Sequence, residues 1–382
     1  MTFPYPVRLR WLFPALLLGL HPSSASLARP AAPASALFAP ADTAQRAPAP
    51  ADTLPHATRD AQGRRADFTV GPGVTWHYDR PRPFRWLAHI PRDLGQFPAY
   101  AFRREHTETF IGLALGSLAL WVADEPILAW SQDVGKQLGL AARSTQKTLI
   151  YIPIRVGSAN LPFEFNVPDN LNSTFYYLGD GWTHLSVATG FWVVGGLRKD
   201  NRALQTSSQL GQAILSTGLM VQALKRSTGR QSPFASTKPR GEWHLFPSYS
   251  RYQNSVPSYD AFPTGHMATA MATVTVIADN YPEYRFVRPV GYSLIGLLGY
   301  SMLNNGVHWA SDYPVGIALG YAFAKIAVRN GRTRAEAPAP DGPAAKETGL
   351  APPPRPRPWY RQGRFAPYSY GPFAGASWSV QF

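Results

Sequence analysis

The chain has 382 residues, a formal net charge of +14 and no cysteine. Without a thiol there is no disulfide framework, no cysteine nucleophile and no Cys-ligated metal, so any catalysis falls to His, Asp, Lys or Arg. The basic balance suits anionic lipid headgroups or phosphorylated substrates; the arginines are spread through the Pro-rich ends as well as the middle, so no nucleic-acid partner is expected.

In chain order, Arg8 and Arg10 precede an apolar run from Trp11 to Leu20 and then small residues up to Ala28. That pattern predicts an export signal over residues 1–28, and with it a periplasmic or cell-envelope location. The run is about half the roughly 20 residues that a spanning helix needs. Residues 29–66 are dominated by Ala, Pro, Asp and Arg, as are residues 331–358 by Pro, Ala and Arg, and both predict disordered tethers that cannot bury a core.

The segment Pro83 to Arg104 mixes Phe84, Trp86, Leu87, Phe97 and Tyr100 with Arg85, Arg92, Arg103 and Arg104. It fits a membrane interface, or equally a surface helix that packs its aromatics on the domain. Apolar segments of helical length follow: Phe110 to Ala123, Phe175 to Leu197, Leu204 to Leu224, Met267 to Tyr281, Val290 to Leu303 and Tyr313 to Val328. They predict an all-α helical bundle over residues 67–330. The many Gln and Ser side chains between Leu204 and Leu224 disfavour lipid there, and Phe110–Ala123 is short for spanning, so peripheral membrane contact is expected ahead of an embedded form. Residues 359–382 form an aromatic tail, in which Ala376, Trp378, Val380 and Phe382 alternate with polar residues as one strand would.

Chemistry concentrates in three places. Ala261 to Ala268, AFPTGHMA, delivers His266 to a helix N-terminus, where Gly265 permits unusual backbone angles, Thr264 offers a hydroxyl and free N–H groups attract an anion. In Gly306 to Pro314, GVHWASDYP, His308 and Asp312 stand four apart on one helical face. An Asp so placed can fix the imidazole tautomer and leave the other nitrogen free to attack an electrophile. Upstream, Lys225, Arg226 and Arg230 surround the end of a helix, either compensating its dipole or clamping phosphoryl oxygens.

Taken in order, these pieces resemble the type 2 phosphatidic acid phosphatase superfamily, whose signature runs KxxxxxxRP, PSGH and SRxxxxxHxxxD. The resemblance covers about Lys225 to Asp312 and implies an all-helical, metal-independent phosphatase with no cofactor, related to bacterial acid phosphatases and vanadium haloperoxidases. It implies that Lys225 binds phosphate, that Pro263, Thr264, Gly265 and His266 stand for PSGH, that His266 is the general acid, His308 the nucleophile and Asp312 its orienting partner. Ser301 matches the serine of the last motif. The implied substrate is a phosphorylated lipid (phosphatidate, a polyprenyl pyrophosphate or a lipid A phosphate) or a small phosphomonoester, cleaved through a phosphohistidine.

Two family arginines are replaced, by Ser232 and Met302. Each such donor is worth about 3 kcal/mol on the scale of oxyanion-hole deletions. Arg230, two residues before Ser232, is the expected substitute on phosphate, with Arg240, Arg251, Asn304 and Asn305 as further candidates. Two other outcomes compete with the phosphatase: a non-catalytic envelope protein that keeps the fold and tethers partners, and a vanadate-dependent haloperoxidase.

Overall fold

The computed structural model describes residues 57–60, 63–71, 74–153, 155–156, 159–160, 163–334, 364–370 and 373–379. The expected export signal, the tether up to residue 56 and the linker over residues 335–358 lie outside the described residues. Order begins ahead of the expected boundary at residue 67. Strand β1 (Ala57–Arg59) pairs with β2 (Arg65–Gly71), which pairs with β3 (Val74–Asp79). Phe68 and Tyr78 make this small sheet cohere, their rings meeting edge-on at 5.6 Å inside an apolar cluster with Ala66.

Helix α1 (Ile90–Ala101) follows, and it settles the reading of the aromatic, basic segment. Phe97 stacks on Phe323 of the core at 4.9 Å, so this face packs on the domain, while Phe84 and Phe102 remain exposed. Helix α2 (Thr107–Gln137) continues well past Ala123. With the short turn before it, the apolar helix runs 34 residues, long enough to cross a membrane, and only 6% of its most apolar stretch is buried. The expectation of a short segment is corrected here. Asp124, Glu125 and Pro126 look like a stop in the sequence, but Asp124 is fully buried and paired, so its charge does not end the helix.

Strands β4 (Gln146–Ile152) and β7 (Phe163–Pro168) form an antiparallel pair around the two-residue strands β5 (Arg155–Val156) and β6 (Ala159–Asn160). The expected Phe175–Leu197 helix divides into α3 (Leu171–Tyr177) and α4 (Gly181–Leu197), because the Asp180 side chain accepts from Trp182 N and starts a new helix. Asp200 likewise caps α5 (Asn201–Thr228), accepting from Arg202 N and Ala203 N. Helix α5 ends at Gly229, whose φ of 55° suits a residue without a side chain; a Cβ there would lie 2.1 Å from the His244 carbonyl. After α6 (Tyr249–Asn254) come α7 (Gly265–Asn280), α8 (Val287–Asn304) and α9 (Tyr313–Gly331).

The all-α expectation holds for the body of the protein. Helix α7 is its centre, buried on nearly every face, as an Ala- and Thr-rich helix without a charged stripe must be. Leu210, Ala213, Ala272, Val276, Ala324 and Val328 join α5, α7 and α9, and Met267, Ile295, Leu298 and Met302 join α7 to α8. Helices α7 and α9 touch backbone to backbone. A Cβ on Gly320 would stand 2.0 Å from the Ala268 carbonyl, so no side chain fits. Strand β8 (Thr333–Arg334) then returns to pair with Trp76 and His77 of β3, giving the order β1-β2-β3-β8. The C-terminal tail holds two strands rather than one, β9 (Arg364–Tyr370) and β10 (Phe373–Ser379), paired with each other.

Candidate active site

Three loops carry the motif residues, and their backbones are stitched together. Ala261 N donates to the Arg230 carbonyl at 3.0 Å, and Thr264 N donates to the Asp312 carbonyl at 3.2 Å. The Trp309 indole donates to the Gln231 carbonyl at 2.8 Å. The ends of α5, α7 and α9 are therefore held at one place, and the close α7–α9 contact fixes their spacing.

His266 and His308 meet there. Their ring centroids are 6.4 Å apart and the planes 65° to one another. His308 is 4% exposed, and its Nδ1 lies 2.7 Å from the Ala261 carbonyl. A carbonyl only accepts, so Nδ1 carries a proton, and in the neutral imidazole Nε2 is then the nitrogen with the lone pair.

The orienting group thus differs from the expected one. Asp312 Oδ2 is 3.6 Å from His308 Nδ1, beyond a good hydrogen bond, and accepts instead from Trp309 N at 2.8 Å. Its charge still faces the imidazole and would stabilise a cationic ring. Its other oxygen takes Arg230 Nη1 at 2.6 Å.

That last contact corrects the role expected for Arg230 on phosphate. The guanidinium is fully buried, donates from Nη2 to Asp124 at 2.7 Å and to the Arg240 carbonyl at 2.8 Å, and lies between the rings of Trp243 and Trp309. Two carboxylates compensate one guanidinium there, and Ser311 completes the cluster by donating to Asp124 Oδ2 at 2.6 Å. Arg230 holds the His308 loop and is not available to a ligand. Of the other candidates, Arg240 lies over the Trp121 ring, Asn304 donates to the Ala141 carbonyl, Asn305 accepts from Asn172, and Arg251 is an exposed residue of α6. Met302 occupies the α7–α8 core and Ser232 is buried.

Thr264 is corrected as well. Its hydroxyl caps α7, 3.5 Å from Met267 N, and the side chain is fully buried beside Met302, so it builds the turn rather than facing an anion. Gly265 opens α7, and the first-turn N–H groups that follow Thr264 precede the intrahelical bonds. Lys225 is 6% exposed and its Nζ lies 3.3 Å from Asp260.

His266 packs on the Tyr176 ring at 4.6 Å. Burial pushes its pKa down to about 3, with the charges of His308, Lys225 and His184 adding to the shift. The Tyr176 phenol is pushed up to about 12 by burial and then by Asp260 and Asp180, so it stays neutral. Burial therefore favours a neutral His266, while Asp260 compensates the Lys225 charge, and an oxyanion beside the ring would favour its protonated form.

Sequence reasoning missed Asp124, Ser311, Tyr176 and the Ala261 carbonyl. A lone carboxylate inside an apolar run was the available signal for Asp124, since such a charge requires a partner. A carbonyl carries no mark in a sequence.

Comparison with known proteins agrees with the resemblance drawn from the motifs. The model of the PAP2 superfamily matches residues 207–336, the stretch that holds Lys225, His266, His308 and Asp312. A lipid A 1-phosphatase from Porphyromonas gingivalis is 28% identical over 180 residues, which are 42% of this chain and 34% of that protein; the chain thus spans about a third of that relative's length. The crystal structure of Aquifex aeolicus LpxE aligns with a TM-score of 0.32 and 22% identity over 41% of this chain and 83% of the other. The crystal structure of a transmembrane PAP2 type phosphatidylglycerolphosphate phosphatase from Bacillus subtilis aligns with a TM-score of 0.33 and 18% identity over 57% and 92%.

Proposed function

We propose that this chain, matched to the PAP2 superfamily across both histidine motifs, is a lipid phosphate phosphatase that works through a phosphohistidine on His308. One observation carries the reading: His308 is held in the tautomer that frees Nε2, and it faces His266 across a gap of 6.4 Å between centroids. Nε2 attacks phosphorus in line while His266 gives its proton to the leaving oxygen. Lys225 and the N–H groups at the start of α7 hold the equatorial oxygens. Water then cleaves the phosphohistidine, with His266 as the base.

His266 must be protonated for the first step, although the ligand-free site keeps it neutral. A bound phosphate brings negative charge beside the ring and raises its pKa, so the substrate itself arms the acid. A lipid substrate is supported by the outer surface. Ile111, Leu115, Leu118 and Val122 make an exposed apolar stripe along α2, and Leu185, Trp192 and Leu197 of α4 are exposed too. Apolar area on this scale belongs against a membrane or a partner. We place the protein at a membrane of the cell envelope, with lipid A-type phosphates among its candidate substrates.

A second reading is favoured by one observation: Arg230 is consumed inside the fold, leaving Lys225 as the cation beside His266. It is a non-catalytic envelope protein that keeps the fold. Incubation with a lipid labelled in the phosphate, followed by rapid quenching, separates the two. The phosphatase yields labelled wild type and unlabelled His308→Gln together with released phosphate, whereas a tethering protein releases none.

A further inference from the structure

A cavity of about 660 Å³ lies beside the histidines without including either ring. Its walls come from the end of α2, the segment leading into β4, Tyr176, and the turn before His308. Tyr176 and Val307 bound it on the side of the site: Tyr176 packs on His266, and Val307 precedes His308.

The lining chemistry is specific. Gln132, Ser144, Gln146, Asn304 and Asn305 contribute neutral donors and acceptors, Lys136 and Arg143 contribute positive charge, and no carboxylate lines the cavity. Asn305 is 8% exposed, yet its Nδ2 has no hydrogen-bond partner among the described residues, and neither has the buried Ser144 hydroxyl. A buried donor without an acceptor is costly, and a ligand oxygen would satisfy it. Lys136 is tied to Asp133 at 3.1 Å, whereas Arg143 is exposed and has no ion pair among the described residues. The volume is that of a small-ligand site.

We propose that this cavity receives a hydroxyl-rich headgroup bearing a second anionic group, such as a glycosyl phosphate, while the scissile phosphate sits between His266 and His308. Resting on the phosphatase reading, it assigns that activity a headgroup class. Gln132, Gln146, Asn305 Nδ2 and Ser144 take sugar hydroxyls, and Arg143 with Lys136 takes the second anion through charge-assisted hydrogen bonds.

The test is binding, so it does not depend on turnover. Calorimetry on full-length His308→Gln compares phenyl phosphate, glucose 1-phosphate and glucose 1,6-bisphosphate. The expected order is rising affinity, with about tenfold gained by the sugar and about tenfold more by the second phosphate. Arg143→Ala should abolish the second gain, and Gln146→Ala should shrink the first. Equal affinity for the three ligands, no binding of any, or gains that survive both substitutions would overturn the proposal. Wild-type turnover of phenyl phosphate is followed separately, and its absence counts against the phosphatase reading alone.

Discussion

Arg230 and Asp312, 82 residues apart and both fully buried, are joined by a hydrogen bond of 2.6 Å from guanidinium to carboxylate. The bond makes the positive charge that the motif seemed to offer a ligand into the pin that holds the His308 loop. Removing one member of such a cluster strands the others. Arg230→Met leaves Asp124 and Asp312 buried without a cation and should destabilise the protein by about 3–5 kcal/mol, read from denaturant unfolding. Asp124→Asn, which keeps the shape and lowers the charge, should be milder. A loss under about 1 kcal/mol in Arg230→Met would refute the structural role.

The two histidines should differ kinetically. His308→Gln should abolish turnover and the covalent intermediate together, because nothing else offers a lone pair at that place. His266→Asn should retain a detectable phosphohistidine while turnover falls by about 10²–10⁴-fold, the usual contribution of a general acid. Substrates with a good leaving group should lose less, since they need no proton. A uniform loss across leaving groups would remove His266 from that role.

Anion binding should take up protons. Burial pushes His266 down to about 3, and a bound oxyanion raises it, so affinity should increase as pH falls from the raised value toward about 3. Calorimetry with tungstate in two buffers of different ionisation enthalpy reads the uptake directly. His266→Asn should abolish it; uptake of equal size in that variant would assign the proton elsewhere.

The same shift has a stability sign. Between about 6.5, the ordinary imidazole value, and about 3, the unfolded chain binds a proton that the folded site refuses. Stability therefore rises with pH across that window and is lost as pH falls through it. Comparing unfolding midpoints at pH 7 and pH 5 for wild type and His266→Asn checks this, the variant being the less acid-sensitive.

Close approach of α7 and α9 should tolerate no side chain. Gly320→Leu must push the helices apart at the Ala268 carbonyl, and overpacking of this kind costs about 1–3 kcal/mol or more. Because Thr264 and Asp312 sit at the ends of those helices, activity should fall further than stability alone explains. Circular dichroism melts together with turnover at a temperature where the variant remains folded resolve the two effects.

Much of this was legible in the sequence, for physical reasons. Helical segments announce themselves through apolar runs, whereas the Asp180 cap that divides Phe175–Leu197 is hidden inside such a run until its side chain is seen to accept from Trp182 N. Motif spacing brings His266, His308, Lys225 and Gly265 into one reading, and the structure places the loops that carry them side by side. Arg230 misled because composition gives a charge without its direction: the neighbouring chain turns it inward, to Asp124, over a hundred residues earlier. Thr264 misled in the same way, since a hydroxyl before a helix serves a cap as readily as a ligand. Length of α2 was underestimated because a carboxylate in an apolar run looks like an ending until its partner is known.

The pairing of β8 with β3 has an engineering consequence. Residue 57, on one edge of the four-stranded sheet, and residue 334, on the other, are separated by three strand spacings, about 14 Å at the usual interval. A linker of about five extended residues covers that distance. The helical body could thus be made circular and reopened between β4 and β7, a cut that leaves both histidine loops continuous with their helices.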